Sequence, residues 1–443
     1  MRIVMLSAAA ILLAVMPAMA ASLENVESKL YTTKDFKLGS GAVLPELTIA
    51  YETYGQLAPD GRNAVFITHG YTSSQHMAGK RGANDAEGSW DGLVGPGKAI
   101  DTDRLFVVSS NMLGSSYGST SPAHTNPATG KPYGPDFPDI SLVDIVSAQK
   151  ALLDGLGVKH LVAVAGPSFG GYQTFQWGVT FPDFMDGLVP VVSAPKGSGG
   201  EAAVKSLIDQ LAKDPNWNGG RYYDKGGIQT AMTDMRVATL KRYGIDEQLA
   251  AAFPDKTARE AEIRKRGESW SKAFDGNSLV ALRKASVRFD AEKDMPKIKA
   301  PVLYVLSRTD KVFPPTIAPD VMAKLKAAGV RADYFEIDSD FGPERSVTVP
   351  YEPAFERYAH HPSGCYHGAS LLAFTKLASK KGYFLAGCDS AGANAIFIRR
   401  DIGQGKVAEF TPEEAFYPCA PRLREASLDE QWARVKHLPL IEI

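Results

Sequence analysis

Residues 161–177 read LVAVAGPSFGGYQTFQW. Leu161 to Ala165 are apolar and β-prone, and they predict a short buried strand of a parallel sheet. Gly166-Pro167-Ser168-Phe169-Gly170-Gly171 follows, and apolar residues then recur at helical spacing. Strand, tight G-x-S-x-G turn and helix together make a nucleophile elbow. The chemistry explains the residue types. A serine on a strained turn needs neighbours with almost no side chain. The N–H of the next residue, Phe169, then points to where an oxyanion forms. The alternative, a glycine-rich loop with an incidental serine, gives no reason for the strand before and the helix after.

The chain around the elbow fits the same scheme. Upstream, Asn63 to Thr68 (NAVFIT) is a buried strand ending in His69-Gly70-Tyr71-Thr72-Ser73-Ser74. A small turn-rich loop after an early strand supplies the second oxyanion donor, for which the Tyr71 N–H is the candidate. His69 and His76 read as structural, because the triad runs in the order Ser, Asp, His. Leu105 to Ser110 is a strand, residues 111–139 form a long loop, and Ile140 to Leu156 has helical periodicity. Downstream, Gly187 to Ser193 is a strand. Residues 196–298 turn charged and helix-permissive between two sheet strands, which predicts an inserted helical lid. Lys196-Gly197-Ser198-Gly199-Gly200 lacks the order of a phosphate loop and reads as a hinge. Pro301 to Leu306 (PVLYVL) is the strand after the lid, and Asp310 just beyond it is the candidate triad acid. The other role for Asp310 is a cap on the helix starting near Thr316, for which it lies too early. A helix over Ala318–Ala328 and a last strand over Asp333–Asp338 complete an α/β-hydrolase fold. It has a mostly parallel sheet flanked by helices, an inserted lid and an atypical C-terminal region.

The 443 residues suffice for one large domain with an insertion. A net charge of −1 suggests no nucleic acid or other polyanion as partner. At the N-terminus, Arg2 precedes an apolar run from Ile3 to Met16 and then Pro17-Ala18-Met19-Ala20. That is the pattern of a secretory signal peptide cleaved after Ala20, with a mature start at Ala21 in the periplasm or outside the cell and no membrane anchor thereafter. Cys365, Cys388 and Cys419 allow one disulfide with an odd thiol left over, or three free thiols. Their spacing matches no metal site, and no cofactor is expected. The expected divisions are 1–20 leader, 21–195 and 299–342 core, 196–298 lid, and 343–443 C-terminal region.

The runs LPELTIAYETYG, HGYTSS, SWDGLVGPGKAIDTDR, NMLGSSYGSTSPAHTNPATGKPYG, GPSFGG, NWNGGRYY, FDGNSLVALRKA and APVLYVLSRTDKVFPP lie between residues 36 and 342. In them the chain resembles the homoserine O-acetyltransferase family. The resemblance implies Ser168 as nucleophile, Asp310 as triad acid, and an acyl-enzyme loaded by a small ester or acyl donor. It also implies a homodimer formed through the lid. The chain departs from the family in the lid. Where the family carries an arginine and, seven residues on, a tyrosine for the amino-acid acceptor, Met232 and Thr239 stand here. The family's run like DSPYGHDAF is replaced by Asp338-Ser339-Asp340-Phe341-Gly342-Pro343, without the catalytic histidine. The acceptor-binding Asp that follows that histidine is missing as well.

From about Phe341 the sequence resembles the C-terminal part of bacterial methyltransferase-like proteins, and it reads as a fused fragment with no methyltransferase activity. His360, His361 and His367 follow the last strand in the correct order. His367-Gly368-Ala369-Ser370 makes His367 the candidate base, the other reading being a packing residue of the tail. Without a base, activity should fall by on the order of 10⁴ or more. The expected function is an exported serine-dependent ester hydrolase, or an acyltransferase with another acceptor. One alternative is true homoserine O-acetyltransferase activity, with another cation such as Arg236 binding the acceptor carboxylate. A catalytically dead fusion is the other.

Overall fold

Short aliphatic runs that are buried on both faces set the architecture. The computed structural model describes residues 23–443 apart from 251, 308, 309, 311, 337–343, 351–360, 363–367, 389–394, 406 and 418–425. The leader, the junction at Asp338–Pro343, His360, His367, Cys365 and Cys419 therefore lie outside the described residues.

Eight strands form one sheet: β1 (Lys29–Lys37), β2 (Val43–Tyr54), β3 (Ala64–Ile67), β4 (Phe106–Ser110), β5 (Leu161–Pro167), β6 (Leu188–Val191), β7 (Val302–Leu306) and β8 (Ala332–Glu336). Their spatial order is β1-β2-β4-β3-β5-β6-β7-β8. Strand β2 runs antiparallel to both neighbours. All other adjacent pairs are parallel. Central parallel strands are covered on both faces, which is why β3 has no polar residue and every one of its side chains is buried. The edge strand β1, KLYTTKDFK, is largely exposed and carries three lysines, which suits an open edge.

Parallel pairs need crossovers, and helices supply them. Helix α1 (Leu142–Gly155) starts at a capping box in which Ser141 and Asp144 bond reciprocally. The second Asp144 oxygen accepts the Gly39 N–H at 2.6 Å and pins α1 to the β1–β2 turn. Helix α2 (Phe169–Thr180) runs directly out of β5 and is buried along almost its whole length. The Trp177 indole N–H donates to Gln149 at 2.9 Å, and the Gln149 amide donates to Gln173 at 2.6 Å, so the polar atoms between α1 and α2 are satisfied.

Between β6 and β7 the chain leaves the sheet for α3 (Gly200–Leu211), α4 (Gln229–Arg242), α5 (Ile245–Leu249), α6 (Lys256–Ala273) and α7 (Gly276–Val287). Helices α4 and α6 approach closely at Gly267, where a Cβ would stand 3.2 Å from the Thr233 carbonyl oxygen. After β7, α8 (Ala318–Ala327) leads to β8.

The C-terminal region packs on the core. Helix α9 (Leu371–Lys380) precedes β9 (Tyr383–Cys388), which pairs antiparallel with β10 (Ala395–Arg399). Phe384 and Ala386 of β9 share one apolar cluster with Val65, Val107 and Val162 of the sheet. An apolar cavity of about 430 Å³ remains between this pair and the sheet face. Cys388 is buried at the end of β9. Among the described residues, no helix is long and apolar enough to cross a membrane.

Candidate active site

Ser168 sits between β5 and α2 with φ 56° and ψ −119°. A non-glycine residue at positive φ is strained by about 1–3 kcal/mol and persists only when its surroundings hold it. Here its N–H donates to Val191 O at 2.9 Å. Its carbonyl accepts Gly171 N–H at 2.8 Å, Tyr172 N–H at 3.2 Å and the Ser193 hydroxyl at 2.8 Å. The flanking glycines are required by space. A Cβ on Gly166 or on Gly170 would lie 2.8 Å from the Thr68 carbonyl oxygen. The pattern G-x-S-x-G is thus the imprint of Thr68, at the end of the neighbouring parallel strand β3, against the turn, and the Ser168 side chain is left half-exposed at the C-terminal edge of the sheet.

The two oxyanion candidates lie together above that turn. Phe169 opens α2, where the first N–H groups have no intrahelical acceptor and the helix dipole favours negative charge. The loop after β3 passes directly over the elbow: a Cβ on Gly70 would stand 4.0 Å from Ser168 Cβ and 3.8 Å from Pro167 O. The Tyr71 ring stacks on the Phe169 ring at 6.0 Å and 26°. The Tyr71 hydroxyl donates to the Leu279 carbonyl of α7, which fastens the loop to the lid.

Asp310 lies four residues past β7, and its Oδ1 accepts the N–H groups of Val312 at 2.7 Å and Phe313 at 2.8 Å. It closes a local turn and caps no helix. The Phe313 ring meets Tyr172 edge-on at 5.9 Å, so the Asp310 loop is docked on the first turn of α2. His367 and His360 fall outside the described residues, and His361 is half-buried among those that are described.

His69 and His76 are each engaged by other polar groups. The His69 ring nitrogens lie 3.0 Å from Asn111 Oδ1 and 2.9 Å from Gly70 O. Burial pushes its pKa down to about 4, against the two hydrogen-bond contacts, which raise it. His76 Nδ1 contacts the buried Glu52 at 2.9 Å, and that carboxylate also binds the Tyr54 hydroxyl and Arg81.

The lid brings cations to the loop after β3. Met232 of α4 is buried in the wall of a cleft of about 680 Å³ shared with Tyr117, Tyr222 and Phe274. One turn later, Arg236 Nη1 donates to the Thr72 hydroxyl at 3.2 Å. Its guanidinium lies 5.3 Å over the Trp270 ring, and the Trp270 indole N–H donates to Thr72 O at 3.4 Å. Thr239 bonds back to Met235 O at 2.9 Å within α4. Arg283 of α7 lies 5.0 Å over the Tyr71 ring. Sequence reasoning missed Arg283, because LRKASVR reads as an ordinary charged helix. Its only signal is a position four residues after Leu279, the residue that holds Tyr71.

The α/β-hydrolase-fold family model matches residues 63–342. Homoserine O-acetyltransferase of Moorella thermoacetica is 38% identical over 330 residues, covering 69% of this chain and 87% of that protein. The Methanosphaera stadtmanae enzyme of the same name is 34% identical, over 72% of this chain and 70% of that one. Among solved structures, homoserine O-acetyltransferase from Bacillus anthracis matches with a TM-score of 0.64 and 27% identity, over 71% of this chain and 92% of that one. Esterase E22 matches with a TM-score of 0.64 and 28% identity, over 70% of this chain and 92% of that one. An eight-stranded sheet in the order described, a serine strained on the turn into α2 and relatives at this identity lead to one assignment. The chain belongs to the homoserine O-acetyltransferase family of the α/β-hydrolase fold.

Proposed function

We propose that this chain is an O-acyltransferase that moves a short acyl group through Ser168 to the hydroxyl of homoserine or a closely similar amino acid. Similarity to the curated relatives favours this alternative over ester hydrolysis as the main activity. Ser168 Oγ attacks the acyl donor, and the Phe169 and Tyr71 N–H groups hold the oxyanion. Asp310 orients a histidine, for which His367 is the candidate. The acceptor hydroxyl then removes the acyl group from the serine.

The observation that carries the acceptor reading is the position of Arg236. Met232 cannot bind a carboxylate, yet Arg236 places a guanidinium on Thr72, the residue next to the oxyanion donor Tyr71. A planar guanidinium binds a carboxylate bidentately, and partial burial strengthens the pair. The test is turnover of acetyl-coenzyme A with and without homoserine, beside Ser168→Ala. Thiol release that requires homoserine and vanishes in Ser168→Ala agrees with the reading. Thiol release independent of any alcohol contradicts it.

Ester hydrolysis is the second reading. It is favoured by apolar Met232 in the cleft wall, by the similarity to esterase E22, and by the leader-like N-terminus, since we also propose export and acetyl-coenzyme A is a cytoplasmic donor. Hydrolysis of simple aryl acetates at the rate of transfer, or faster, would select it.

A further inference from the structure

His69 lies in the loop after β3, is 1% exposed, and is held at three points. Its carbonyl accepts the Gln173 side-chain N–H at 3.1 Å, from the turn of α2 that Phe169 opens. Its Nε2 lies 3.0 Å from Oδ1 of the fully buried Asn111, whose Nδ2 in turn donates to Ser116 O. Its Nδ1 lies 2.9 Å from Gly70 O. That carbonyl also accepts the Ser73 N–H at 3.1 Å.

The Gly70 carbonyl and the Tyr71 N–H belong to one peptide group, and in a planar trans peptide the two bonds point in opposite directions. Whatever fixes the carbonyl therefore aims the N–H. That N–H is the second oxyanion donor of the acyl-transfer reading, on which this inference rests. Among the described residues, neither the Tyr71 N–H nor the Phe169 N–H has an acceptor, so both are free for a ligand oxygen. A backbone carbonyl has only lone pairs, so the Nδ1 contact calls for a ring proton on Nδ1. The Asn111 amide at Nε2, by contrast, has both a donor end and an acceptor end.

We propose that His69 is a positioning residue for the oxyanion hole: its Nδ1–H holds the Gly70 carbonyl, and through that one peptide it aims the Tyr71 N–H at the charge developing over Ser168. The contact also polarises the peptide, since a carbonyl that accepts two hydrogen bonds leaves its own N–H a stronger donor. Gln173 and Asn111 hold the backbone and the ring of His69. The donor on the loop thus keeps its place relative to the donor at Phe169 on α2. Such an N–H meets full negative charge only in the tetrahedral species. Its loss therefore falls on kcat and leaves KM nearly unchanged.

The full chain is compared with His69→Asn and His69→Gln, each checked for folding by thermal melting. Counted along the side chain, the asparagine Nδ2 stands where the histidine Nδ1 stood, and the glutamine Nε2 where the histidine Nε2 stood. Asparagine thus keeps the donor to Gly70 O, and glutamine keeps only the partner of Asn111. With acetyl-coenzyme A and homoserine we expect kcat to fall about tenfold to a hundredfold in His69→Gln, short of the full loss of an oxyanion donor. In His69→Asn kcat should stay close to that of the unaltered chain, and KM should change little in either variant. The rate at which a fluorophosphonate labels Ser168, which needs no acceptor, should follow the same order. A loss in His69→Asn as large as in His69→Gln, or a loss carried by KM, overturns the proposal, because a side chain that only fills space gives that result. Ester hydrolysis in place of transfer sinks the acyltransferase reading, while the same order between the variants still supports this one. If a variant fails to fold, or the folded unaltered chain neither turns over nor labels, nitrogen NMR of its histidine rings decides. A His69 proton on Nδ1 supports the proposal, and a ring protonated only on Nε2 overturns it.

Discussion

Replacing Gly166 by alanine probes the packing that holds the elbow in place. The added Cβ would lie 2.8 Å from the Thr68 carbonyl oxygen and 2.9 Å from the Gly170 carbonyl carbon, and nearer still to the Thr68 hydroxyl. Both measured neighbours are backbone, one residue past β3 and on the first turn of α2, so neither can swing aside. Thr68 is fully buried, and its hydroxyl donates to Gly170 O at 2.8 Å. Rotating that hydroxyl away leaves a buried carbonyl with one bond fewer, at about 1 kcal/mol. Overpacking of a dense core adds about 1–3 kcal/mol, and moving β5 against β3 disturbs a fully buried ladder. The expected cost is about 3–4 kcal/mol, a large share of a typical stability of about 5–15 kcal/mol. In urea titrations this should lower the midpoint by about 1 M. Gly187→Ala is the control, since its Cβ would meet only Val162 O at an ordinary 3.7 Å. A Gly166→Ala midpoint equal to that of Gly187→Ala would refute the steric account.

Other predictions concern charge and pH. Arg236→Met should raise KM for the amino-acid acceptor about tenfold to a hundredfold while changing KM for the acyl donor far less, measured by varying each substrate in turn. The hydrogen bond to Glu52 raises the His76 pKa above the ordinary value of 6.5. Its stabilisation is therefore full below pH 6.5 and is lost as the pH climbs through the raised value. His76→Gln should remove that alkaline decline, and an unchanged pH–stability curve would count against the contact. His69 behaves in the opposite sense. Burial depresses its pKa to about 4, so below pH 6.5 the unfolded chain takes up the proton first. Stability then falls by about 3 kcal/mol as the pH drops from 6.5 to 4. His69→Gln should flatten this acid limb in denaturation curves collected across that range.

Much of the sheet is legible in the sequence because its central strands are buried on both faces. NAVFIT, LFVVSS and PVLYVL contain the observed β3, β4 and β7, and LVAVA begins β5. The strand β5 runs two residues further, through Gly166 and Pro167, because the turn begins only at Ser168. The edge strand β1 was harder to read. KLYTTKDFK is half-polar and solvated, so its only apolar support is its pairing with β2. The pairing of β9 with β10 over the sheet was not foreseen, since nothing local in YFLAGC says which surface it will cover. At the site, the candidates Ser168, Phe169, Tyr71 and Asp310 follow from motif and chain order. Arg283 does not follow from them, because its contact with the Tyr71 ring is tertiary. Met232 stands in the lid pattern, and its side chain is buried in the cleft wall.

The central claim is that Ser168, strained on its turn, forms the acyl-enzyme. The most direct measurement is intact-protein and peptide mass spectrometry after incubating the chain from Ala21 with acetyl-coenzyme A, beside Ser168→Ala. The account predicts an acyl adduct on the peptide containing Ser168 that is absent from Ser168→Ala and discharged by homoserine. An adduct on any other residue, or a folded protein that neither acylates nor reacts with a fluorophosphonate at Ser168, would contradict it.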